Sequence, residues 1–476
     1  MRSGKDRPMH EVEQLIGGVW GQGGATEYLE VRDPVDGTPV SRTPVASESD
    51  VTAAVKAARD AAPGWARTGA GARGAALHRA ADAIAARIDD LAAVMTAEMG
   101  KPLDGSRGSI EAGIGTLRQY AELGPTHRGR ALAGNDEAID LMAYGPRGVV
   151  AAITPWNDPV AVSCGLLGAA LVTGNTVSYK PSERTPATGW MLAKLIAGEF
   201  PDGVFSLLTG DGRVGAALAG AEVDLVAHVG STATGRAIAA TCARTGAKAL
   251  LENGGSDPLI VDADVDPVWA AQQAALGAFA NSGQICVAVE RIYVHSAVAP
   301  AFLDALVTEA ETWAGQIGPL VDSRHRDGVH AQVTAAAAAG ARVLCGGEVP
   351  DGPGAYYPPT VLADVTDEMA VLAEETFGPV APVVVVDSFA EAMSRAAESP
   401  YGLAATVLTG SMSHAQQAWR ELPVGTVKIN AVFGGAPGGA AHPRRASGQG
   451  FGYGPELLDE MTVAKAVHVE APPAGW

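Results

Sequence analysis

Cysteine is scarce in this chain of 476 residues. The four cysteines, Cys164, Cys242, Cys286 and Cys345, show neither a pairing pattern nor the spacing of metal ligands. Their distribution argues against a disulfide scaffold and against a zinc site, so we expect no metal. Unpaired cysteines suit a reducing compartment, and the sequence therefore predicts a cytoplasmic protein.

Basic residues are also few, because 34 lysines and arginines stand against 53 aspartates and glutamates, which gives a formal charge of −19. An acidic surface repels phosphate backbones and anionic lipids, so we expect neither nucleic acid nor a membrane as a partner. No apolar run reaches about 18 residues without interruption, and residues 1–10 are polar. We therefore predict no signal peptide and no membrane span.

The length and the 47% hydrophobic content predict a globular protein of two or three domains. Apolar runs alternate with helical stretches in its middle part, at residues 149–153, 176–179, 204–208, 225–229 and 247–251. This alternation predicts a doubly wound parallel sheet, in which ligands lie beyond the carboxyl ends of the strands. A second alternating section at residues 258–430 predicts a second α/β domain.

The rest of the chain shows weaker patterns. The predicted elements there are a hairpin layer at residues 16–44, a helix from Ser47 or Ser49 to Pro63, a long helix at 74–99, a linker or protruding arm at 124–145 and a final strand at 462–468.

Cys286 follows an alanine-rich run that predicts a helix and precedes a β-branched run, residues 287–294, that predicts a strand. A thiol at such a junction can act as a nucleophile, although free cysteines are often small buried hydrophobes. Glu252 at a predicted strand end has the chemistry of a general base, or is a solvated rim residue. Asn157 has an amide that can stabilise an oxyanion, or it is a turn residue.

Two other strand ends carry residues suited to a dinucleotide. Residues 230–235 follow a strand and open a helix, so their N–H groups can hold a phosphate, with simple capping as the alternative. They match neither G-x-G-x-x-G nor the P-loop, which needs Lys in place of Arg236. Lys180 and Glu183 can hold an adenosine ribose, or they are two solvated surface charges.

An ordered set of motifs across nearly the whole chain resembles the NAD(P)-dependent aldehyde dehydrogenase superfamily. The motifs are Glu98-Met-Gly-Lys-Pro-Leu103, Pro155-Trp-Asn157, Gly174-Asn-Thr-Val177, Lys180-Pro-Ser-Glu183, Gly230-Ser-Thr232, Leu251-Glu252 with Gly254-Gly255, Gly283-Gln-Ile-Cys286, Glu374-Glu-Thr-Phe-Gly-Pro379 and Ser447-Gly448. The resemblance implies an α/β fold of three parts. These are a doubly wound, Rossmann-like cofactor domain (1–128 and 149–253), an α/β catalytic domain (254–436) and a small β oligomerisation element (129–148 and 437–476).

The resemblance also implies an enzyme that oxidises an aldehyde to the carboxylic acid through a thiohemiacetal and a thioester. Cys286 is the implied nucleophile, Glu252 the general base and Asn157 the oxyanion donor. The implied cofactor is NAD, with NADP possible, and its implied binding residues are Thr154, Pro155, Trp156, Lys180, Ser182, Glu183, Gly230, Ser231, Glu375 and Phe377. The implied partners are a small-molecule aldehyde and copies of the same chain, in a homodimer or homotetramer.

Two alternatives stand beside this reaction. One is a CoA-acylating aldehyde dehydrogenase, although relatives of that type generally lack the base that Glu252 supplies. The other is a catalytically silent structural oligomer of the same fold, against which the joint presence of Cys286, Glu252 and Asn157 argues. Glu183 beside the ribose predicts NAD over NADP, because a carboxylate repels a 2′-phosphate, an effect that Lys180 partly offsets.

Some positions depart from the family pattern: His228-Val229 replaces Phe-Thr, Asn253 replaces Leu and Ser256 replaces Lys. The usual Phe after Pro437 is also missing from the segment 436–448, which has a few added residues.

Asp158 is a further departure, because the family has an aromatic residue there. With Pro159 after it, Asp158 is predicted to cap a helix at residues 160–171, to widen the substrate pocket, or both. A carboxylate in the pocket favours hydroxylated or cationic aldehydes over anionic ones. The residues assigned to this pocket are Asp158, Val162, Gly165, Ile285, Val287 and Phe433.

Overall fold

Four β-sheets organise the residues that this computed structural model describes, which are 9–435, 439 and 442–472. The strands are β1 (His10–Glu11), β2 (Gln14–Ile16), β3 (Val19–Gly21), β4 (Tyr28–Arg32), β5 (Pro39–Pro44), β6 (Arg130–Leu132), β7 (Ala138–Pro146), β8 (Val149–Ile153), β9 (Thr176–Lys180), β10 (Phe205–Leu207), β11 (Leu225–Val229), β12 (Lys248–Glu252), β13 (Asp257–Val261), β14 (Val289–His295), β15 (Arg342–Cys345), β16 (Thr360–Ala363), β17 (Val380–Val386), β18 (Ala404–Leu408), β19 (Thr426–Ile429), β20 (Gly448–Gln449) and β21 (Thr462–Glu470). The α-helices are α1 (Glu48–Arg67), α2 (Ala70–Ala85), α3 (Ile88–Met99), α4 (Leu103–Leu123), α5 (Pro159–Val172), α6 (Pro186–Ile196), α7 (Gly212–Gly220), α8 (Thr232–Thr245), α9 (Pro267–Phe279), α10 (Ala299–Ala314), α11 (Ser323–Ala338), α12 (Ala370–Ala373), α13 (Phe389–Ala397), α14 (Met412–Glu421) and α15 (Glu456–Glu460).

The largest sheet has the strand order β20-β12-β11-β8-β9-β10-β2-β3. Strands β8 to β12 are parallel to one another, and most of their side chains are buried. From β8 the chain proceeds outward through β9 and β10 on one side and through β11 and β12 on the other. The strand order therefore reverses at β8, which is where doubly wound sheets bind their ligands. The predicted doubly wound sheet is confirmed.

Helices cover both faces of this sheet, and short polar caps determine where several of them begin. One face packs mainly against α2 to α6, and the other against α1, α7 and α8. Ser47 begins α1 in a capping box with Asp50, and Ser231 begins α8 by accepting a hydrogen bond from the Thr234 N–H. The start of α8 therefore lies directly after β11, at the carboxyl edge of the sheet.

The second sheet has the order β15-β16-β17-β14-β13-β18-β19, with all strands parallel except the edge strand β15. It confirms the second α/β section. Strand β14 begins at Val289, two residues later than the β-branched pattern predicts, so Cys286 lies in a turn outside the ladder.

A third sheet joins two distant parts of the chain. β7 pairs along its whole length with β21, from Thr462 opposite Pro146 to Glu470 opposite Ala138, and β6 pairs with the other edge of β7. Residues 124–145 thus include an arm of two strands, and the predicted last strand is present and slightly longer. Most side chains of β21 are exposed.

Three local predictions were wrong. The helix predicted at 74–99 is two helices, α2 and α3, because Arg87 leaves helical geometry with φ −128° and ψ 25°. Helix α1 does not end at Pro63 but continues to Arg67, with Pro63 on its exposed side, where the proline ring meets no core packing. The strands before residue 45 do not form one layer, because β2 and β3 extend the large sheet while β1, β5 and β4 form a separate one.

Within the described residues, no helix combines the length and apolar character that a membrane crossing requires.

Candidate active site

A turn with unusual backbone angles precedes Cys286. Asn281, Ser282 and Gly283 have φ angles of 50°, 58° and 73°, all in the left-handed region. At Gly283 a Cβ atom would overlap the carbonyl of Gly378, so only glycine fits.

Gln284 fixes this turn with its side-chain amide. Its Nε2 donates to the Asn281 carbonyl at 3.0 Å, and its Oε1 accepts from the Val321 N–H at 2.9 Å. Gln284 is thus hydrogen-bonded both to Asn281 within the turn and to Val321 outside it. The Cys286 thiol is therefore presented by a turn held at several points.

The thiol of Cys286 faces the carboxylate of Glu252, with Sγ 3.7 Å from Oε1. Burial raises the pKa of Cys286 well above its usual range, and the charges of Glu252, Asp257 and Glu375 raise it further. Burial likewise raises the pKa of Glu252, against the opposing effect of the thiol hydrogen bond. The Cys286 thiol therefore lies next to a side chain that can receive its proton.

Asn157 comes to this turn from the carboxyl end of β8. Its Nδ2 donates to the Gln284 carbonyl at 3.1 Å, and the Asn281 Nδ2 donates to the same oxygen at 3.1 Å. Asn157 is buried. Cys286, Glu252 and Asn157, which are far apart in the sequence, thus meet in one crevice between the two large sheets.

Glu375 closes this crevice from the side of the second sheet. Its Oε1 accepts the Gly255 N–H at 3.1 Å, and a Cβ atom at Gly254 would overlap its carboxylate. Burial raises the pKa of Glu375 to about 7. Gly254 is therefore needed for this carboxylate to approach the backbone next to Glu252.

We call the group Lys180, Glu183, Gly230 and Ser231 the cofactor crevice. Lys180 is 2% exposed, donates to the Pro181 carbonyl at 2.9 Å and lies 3.9 Å from the Glu183 carboxylate. Gly230 and Ser231 form the turn between β11 and α8. The buried Thr232 hydroxyl in the first turn of α8 has no hydrogen-bond partner among the described residues.

Helix N-termini attract phosphate, and a buried ammonium next to a carboxylate suits ribose hydroxyls. The Thr232 hydroxyl at the start of α8, which has no partner among the described residues, is also available to a polar ligand. The cofactor crevice therefore fits the ADP half of a dinucleotide.

Aromatic and hydroxyl residues continue from the cofactor crevice toward Cys286. The Trp156 and Phe377 rings meet edge to face at 5.5 Å, and the Arg184 guanidinium lies 5.2 Å from the Trp156 ring centre. Phe377 has φ 53°, and its N–H and that of Thr376 donate to Glu290.

The remaining predicted cofactor residues, Thr154, Pro155 and Ser182, are buried beside these strand ends. The Thr154 hydroxyl accepts from Ser163 at 3.2 Å, and the Ser182 hydroxyl accepts the Arg184 N–H at 3.3 Å. The predicted cofactor residues that follow β8, β9 and β11 thus lie at one edge of the large sheet, and Phe377 contacts Trp156 from the side of the second sheet.

Asp158 occupies the N-cap position of α5, and Pro159 is the first helical residue, as the pattern predicts. However, the Asp158 side chain makes no capping hydrogen bond, and its Oδ1 is buried with no partner among the described residues. The interpretation of this carboxylate as a helix cap is therefore wrong, because the residue has the position without the bond. The other role predicted for Asp158, in the substrate pocket, stays a prediction.

Val162 and Gly165 follow Asp158 on the same face of α5. A Cβ atom at Gly165 would lie 3.9 Å from the Tyr453 ring, and the Tyr453 hydroxyl is 2.9 Å from that of Thr116. We call Asp158, Val162, Gly165 and Tyr453 the substrate mouth. The other residues assigned to the pocket are Ile285 and Val287, which flank Cys286, and Phe433, whose ring centre is 5.5 Å from the Lys428 ammonium.

Comparison with known proteins now adds to this geometry. A sequence profile described as the aldehyde dehydrogenase family matches residues 20–467. The chain is 38% identical over 465 residues to a 3,6-anhydro-alpha-L-galactose dehydrogenase of Streptomyces coelicolor, covering 93% of each chain. It is 35% identical to a succinate-semialdehyde dehydrogenase of Paenarthrobacter nicotinovorans, covering 90% of this chain and 98% of the relative. The chain belongs to the aldehyde dehydrogenase family.

A solved structure supports the same conclusion for the fold. The NAD-dependent aldehyde dehydrogenase of Sinorhizobium meliloti is 33% identical, with a TM-score of 0.95 over 100% of this chain and 98% of that one. This aldehyde dehydrogenase is thus an enzyme that oxidises an aldehyde to a carboxylic acid with NAD or NADP. The predicted family, fold class, reaction and cofactor are confirmed.

Sequence reasoning missed several polar residues of this aldehyde dehydrogenase. Burial raises the pKa of Asp257 to about 8, although its Oδ1 accepts the Ala404 N–H at 3.0 Å. Lys428 is partly buried and donates to the Val432 carbonyl at 2.7 Å, and burial lowers its pKa against the attraction of Asp257. The sequence feature that could have identified Lys428 is its position as a lone lysine among the β-branched residues of β19.

Two of the residues that depart from the family pattern, Asn253 and Ser256, make hydrogen bonds with other segments of the chain. Asn253 donates to the Ala446 carbonyl at 3.0 Å, so it ties β12 to the C-terminal segment. The Ser256 carbonyl accepts from the buried Arg291 at 2.9 Å. The missing Phe after Pro437 falls outside the described residues.

Proposed function

We propose that Cys286 is the nucleophile, Glu252 the general base and Asn157 an oxyanion donor of a hydrolytic aldehyde dehydrogenase. The observation that carries this proposal is the 3.7 Å contact between the Cys286 thiol and the Glu252 carboxylate, beside the Asn157 amide. A base so close to the nucleophile suits a reaction in which water must later be activated.

In the first step Cys286 adds to the aldehyde carbon, and Glu252 accepts the thiol proton. The Asn157 amide and the Cys286 N–H stabilise the oxygen anion of the thiohemiacetal. NAD(P), held by the cofactor crevice, would supply the acceptor for the hydride of that carbon, and the product on Cys286 would be a thioester. Glu252 then releases the thiol proton to solvent. Water adds to the thioester, Glu252 takes a proton from that water, and this proton passes to the Cys286 sulfur as it leaves and the acid forms.

We propose that Lys180 and Glu183 hold the adenosine ribose and that Gly230 and Ser231 hold the diphosphate. Glu375 and Phe377 would contact the nicotinamide ribose and ring, next to Thr154, Pro155, Trp156 and Ser182. The Glu183 carboxylate, which is partly exposed beside Lys180, supports a preference for NAD. A 2′-phosphate there would meet a like charge.

We also propose a domain division and an assembly. The cofactor domain is 1–128 with 149–253, the catalytic domain 254–436 and the oligomerisation element 129–148 with 437–476. The exposed three-stranded sheet of β6, β7 and β21 supports a homodimer or homotetramer. The unpaired cysteines support a cytoplasmic location.

For the substrate we propose a hydroxylated neutral or cationic aldehyde. The buried Oδ1 of Asp158, which has no partner among the described residues, can accept a hydrogen bond from a substrate hydroxyl. The relative named for 3,6-anhydro-alpha-L-galactose fits this class. An anionic semialdehyde would meet the like charge of Asp158.

A panel of hydroxylated, cationic, neutral and anionic aldehydes, assayed with NAD in the presence and absence of coenzyme A, tests the function. NADH formation without coenzyme A, with free acid as product, is expected. NADH formation that requires coenzyme A would instead identify the acylating reaction. Absence of NADH with every aldehyde, while cofactor binding persists, would contradict the proposed roles of Cys286, Glu252 and Asn157.

A further inference from the structure

His228 is a buried histidine to which the catalytic and cofactor assignments above give no role. It lies near the end of β11, is 5% exposed, and neither ring nitrogen makes a well-formed hydrogen bond with the described residues. Burial lowers the pKa of His228 to about 4, although backbone contacts with Ile153 and Ser231 act to raise it. The neutral imidazole therefore retains one donor and one acceptor nitrogen, and a buried polar group left unpaired destabilises the fold.

The register of the large sheet places His228 in a row of side chains at the carboxyl edge. Lys180 pairs with Ile153, Ile153 with His228, and His228 with Leu251. Paired residues of neighbouring parallel strands point to the same face, and adjacent strands are about 4.8 Å apart. Lys180 and His228 are thus separated by one intervening strand, on the face that α1, α7 and α8 cover.

Two helices begin above this row. A Cβ atom at Gly215 in α7 would lie 3.7 Å from the Lys180 Cδ atom. A Cβ atom at Gly230, just before α8, would lie 2.7 Å from Cε1 and 2.9 Å from Nε2 of His228. The imidazole therefore lies directly beneath the turn whose N–H groups and helix dipole suit a diphosphate.

We propose that His228 is a cofactor-binding residue that hydrogen-bonds the ADP half of NAD(P) from beneath the turn at Gly230 and Ser231. The row from Lys180 to His228 forms the floor on which the ribose and the diphosphate lie. This inference rests on the proposed cofactor roles of Lys180, Gly230 and Ser231.

A purely packing role makes the opposite prediction. Phe in place of His228 keeps an aromatic ring of similar size and removes two unpaired polar atoms. If His228 only filled space, His228→Phe would leave cofactor affinity unchanged. If His228 binds the cofactor, the same substitution weakens cofactor binding while the free protein keeps or gains stability, because an unpaired buried polar group is removed.

Isothermal titration of the full-length protein with NAD and with ADP-ribose tests the proposal without reference to turnover. We expect His228→Phe to raise both dissociation constants about tenfold, as the loss of one good hydrogen bond would. His228→Gln, which keeps a donor and an acceptor, should stay within about threefold of the unchanged protein. The melting temperature of His228→Phe without ligand should be equal or higher.

Unchanged affinity of His228→Phe for ADP-ribose would overturn the proposal, and so would equal losses in His228→Phe and His228→Gln. If His228→Phe does not fold, His228→Leu and His228→Gln provide the same contrast. Lys180→Ala is measured in parallel. If Lys180→Ala binds ADP-ribose normally, the proposed cofactor crevice itself is wrong, whereas a loss in Lys180→Ala alone refutes only the role of His228.

Discussion

The cofactor crevice and the substrate mouth are built in different ways. The residues of the cofactor crevice lie at the ends of β9 and β11 and at the start of α8, so one regular sheet places them. The substrate mouth combines one face of α5 with Tyr453 from the C-terminal segment, and Thr116 of α4 braces it. Regular strands fix positions through local geometry, whereas the mouth depends on packing between distant segments.

Charge also separates the two regions. The cofactor crevice pairs its buried Lys180 with Glu183 and with a helix start, both of which suit an anionic ligand. The catalytic end gathers Glu252, Asp257 and Glu375 around one thiol. Cofactor binding and thiol chemistry should therefore respond to different substitutions.

Cys286→Ala should separate catalysis from cofactor binding more completely than any other substitution. NADH formation should fall by at least about 10³-fold, because the only covalent step is lost. The dissociation constant for NAD should stay nearly unchanged, since no residue of the cofactor crevice is altered. Cys345→Ala, at a half-buried cysteine far from Glu252 in the sequence, is the matched control and should keep its activity. If Cys345→Ala lost activity and Cys286→Ala kept it, the assignment of the nucleophile would be wrong.

Glu252→Gln should separate hydride transfer from the slower hydrolysis of the thioester. Thioester hydrolysis should slow by about 10²-fold or more, because water loses its base. Hydride transfer should still occur once, because removal of the Glu252 charge makes the Cys286 thiol easier to ionise without that base. Stopped-flow absorbance should show a burst of NADH followed by a slow steady state. A steady-state rate equal to that of the unchanged enzyme at neutral pH would mean that another group activates the water.

The same substitution should change the acidity of the thiol. Burial and three carboxylates raise the pKa of Cys286, and removal of the Glu252 charge lowers that pKa toward its ordinary value. The thiolate then forms at lower pH, so the midpoint of iodoacetamide alkylation against pH should move downward. Cys286→Ala provides the background of the other cysteines. A midpoint that stays or rises would contradict the proposed electrostatic coupling.

Glu183→Gln should act on the cofactor side alone. Removal of the charge beside the ribose should raise kcat/KM with NADP by about tenfold relative to NAD, because a 2′-phosphate no longer meets a carboxylate. The pH profile of thiol alkylation should not move. Comparable efficiency of the unchanged enzyme with NAD and NADP would refute the assigned role of Glu183.

Asp158→Asn should have the smallest effect, confined to the substrate mouth. Efficiency with anionic aldehydes should rise a few-fold, about 1 kcal/mol of relieved repulsion, while that with cationic aldehydes falls. The melting temperature should not change, because the Asp158 side chain makes no capping bond. An unaltered ranking of cationic, neutral and anionic aldehydes would exclude a substrate role for this carboxylate.

The sequence by itself determined the family, the reaction and the alternation of strands and helices around Lys180, Gly230 and Glu252. These features depend on short motifs and on the alternation of apolar runs, whose period follows from the geometry of strands and helices. The placement of these three residues at strand ends therefore follows from local patterns alone.

Only the tertiary structure decided which side chains meet across distant segments. The contact of Cys286 with Glu252 joins residues 34 positions apart, and Tyr453 lies 337 positions from Thr116. No local pattern encodes such pairs, because they arise from the packing of separate elements. The same holds for His228 and Asp158: polarity is visible in the sequence, but a missing hydrogen-bond partner depends on every neighbour in three dimensions.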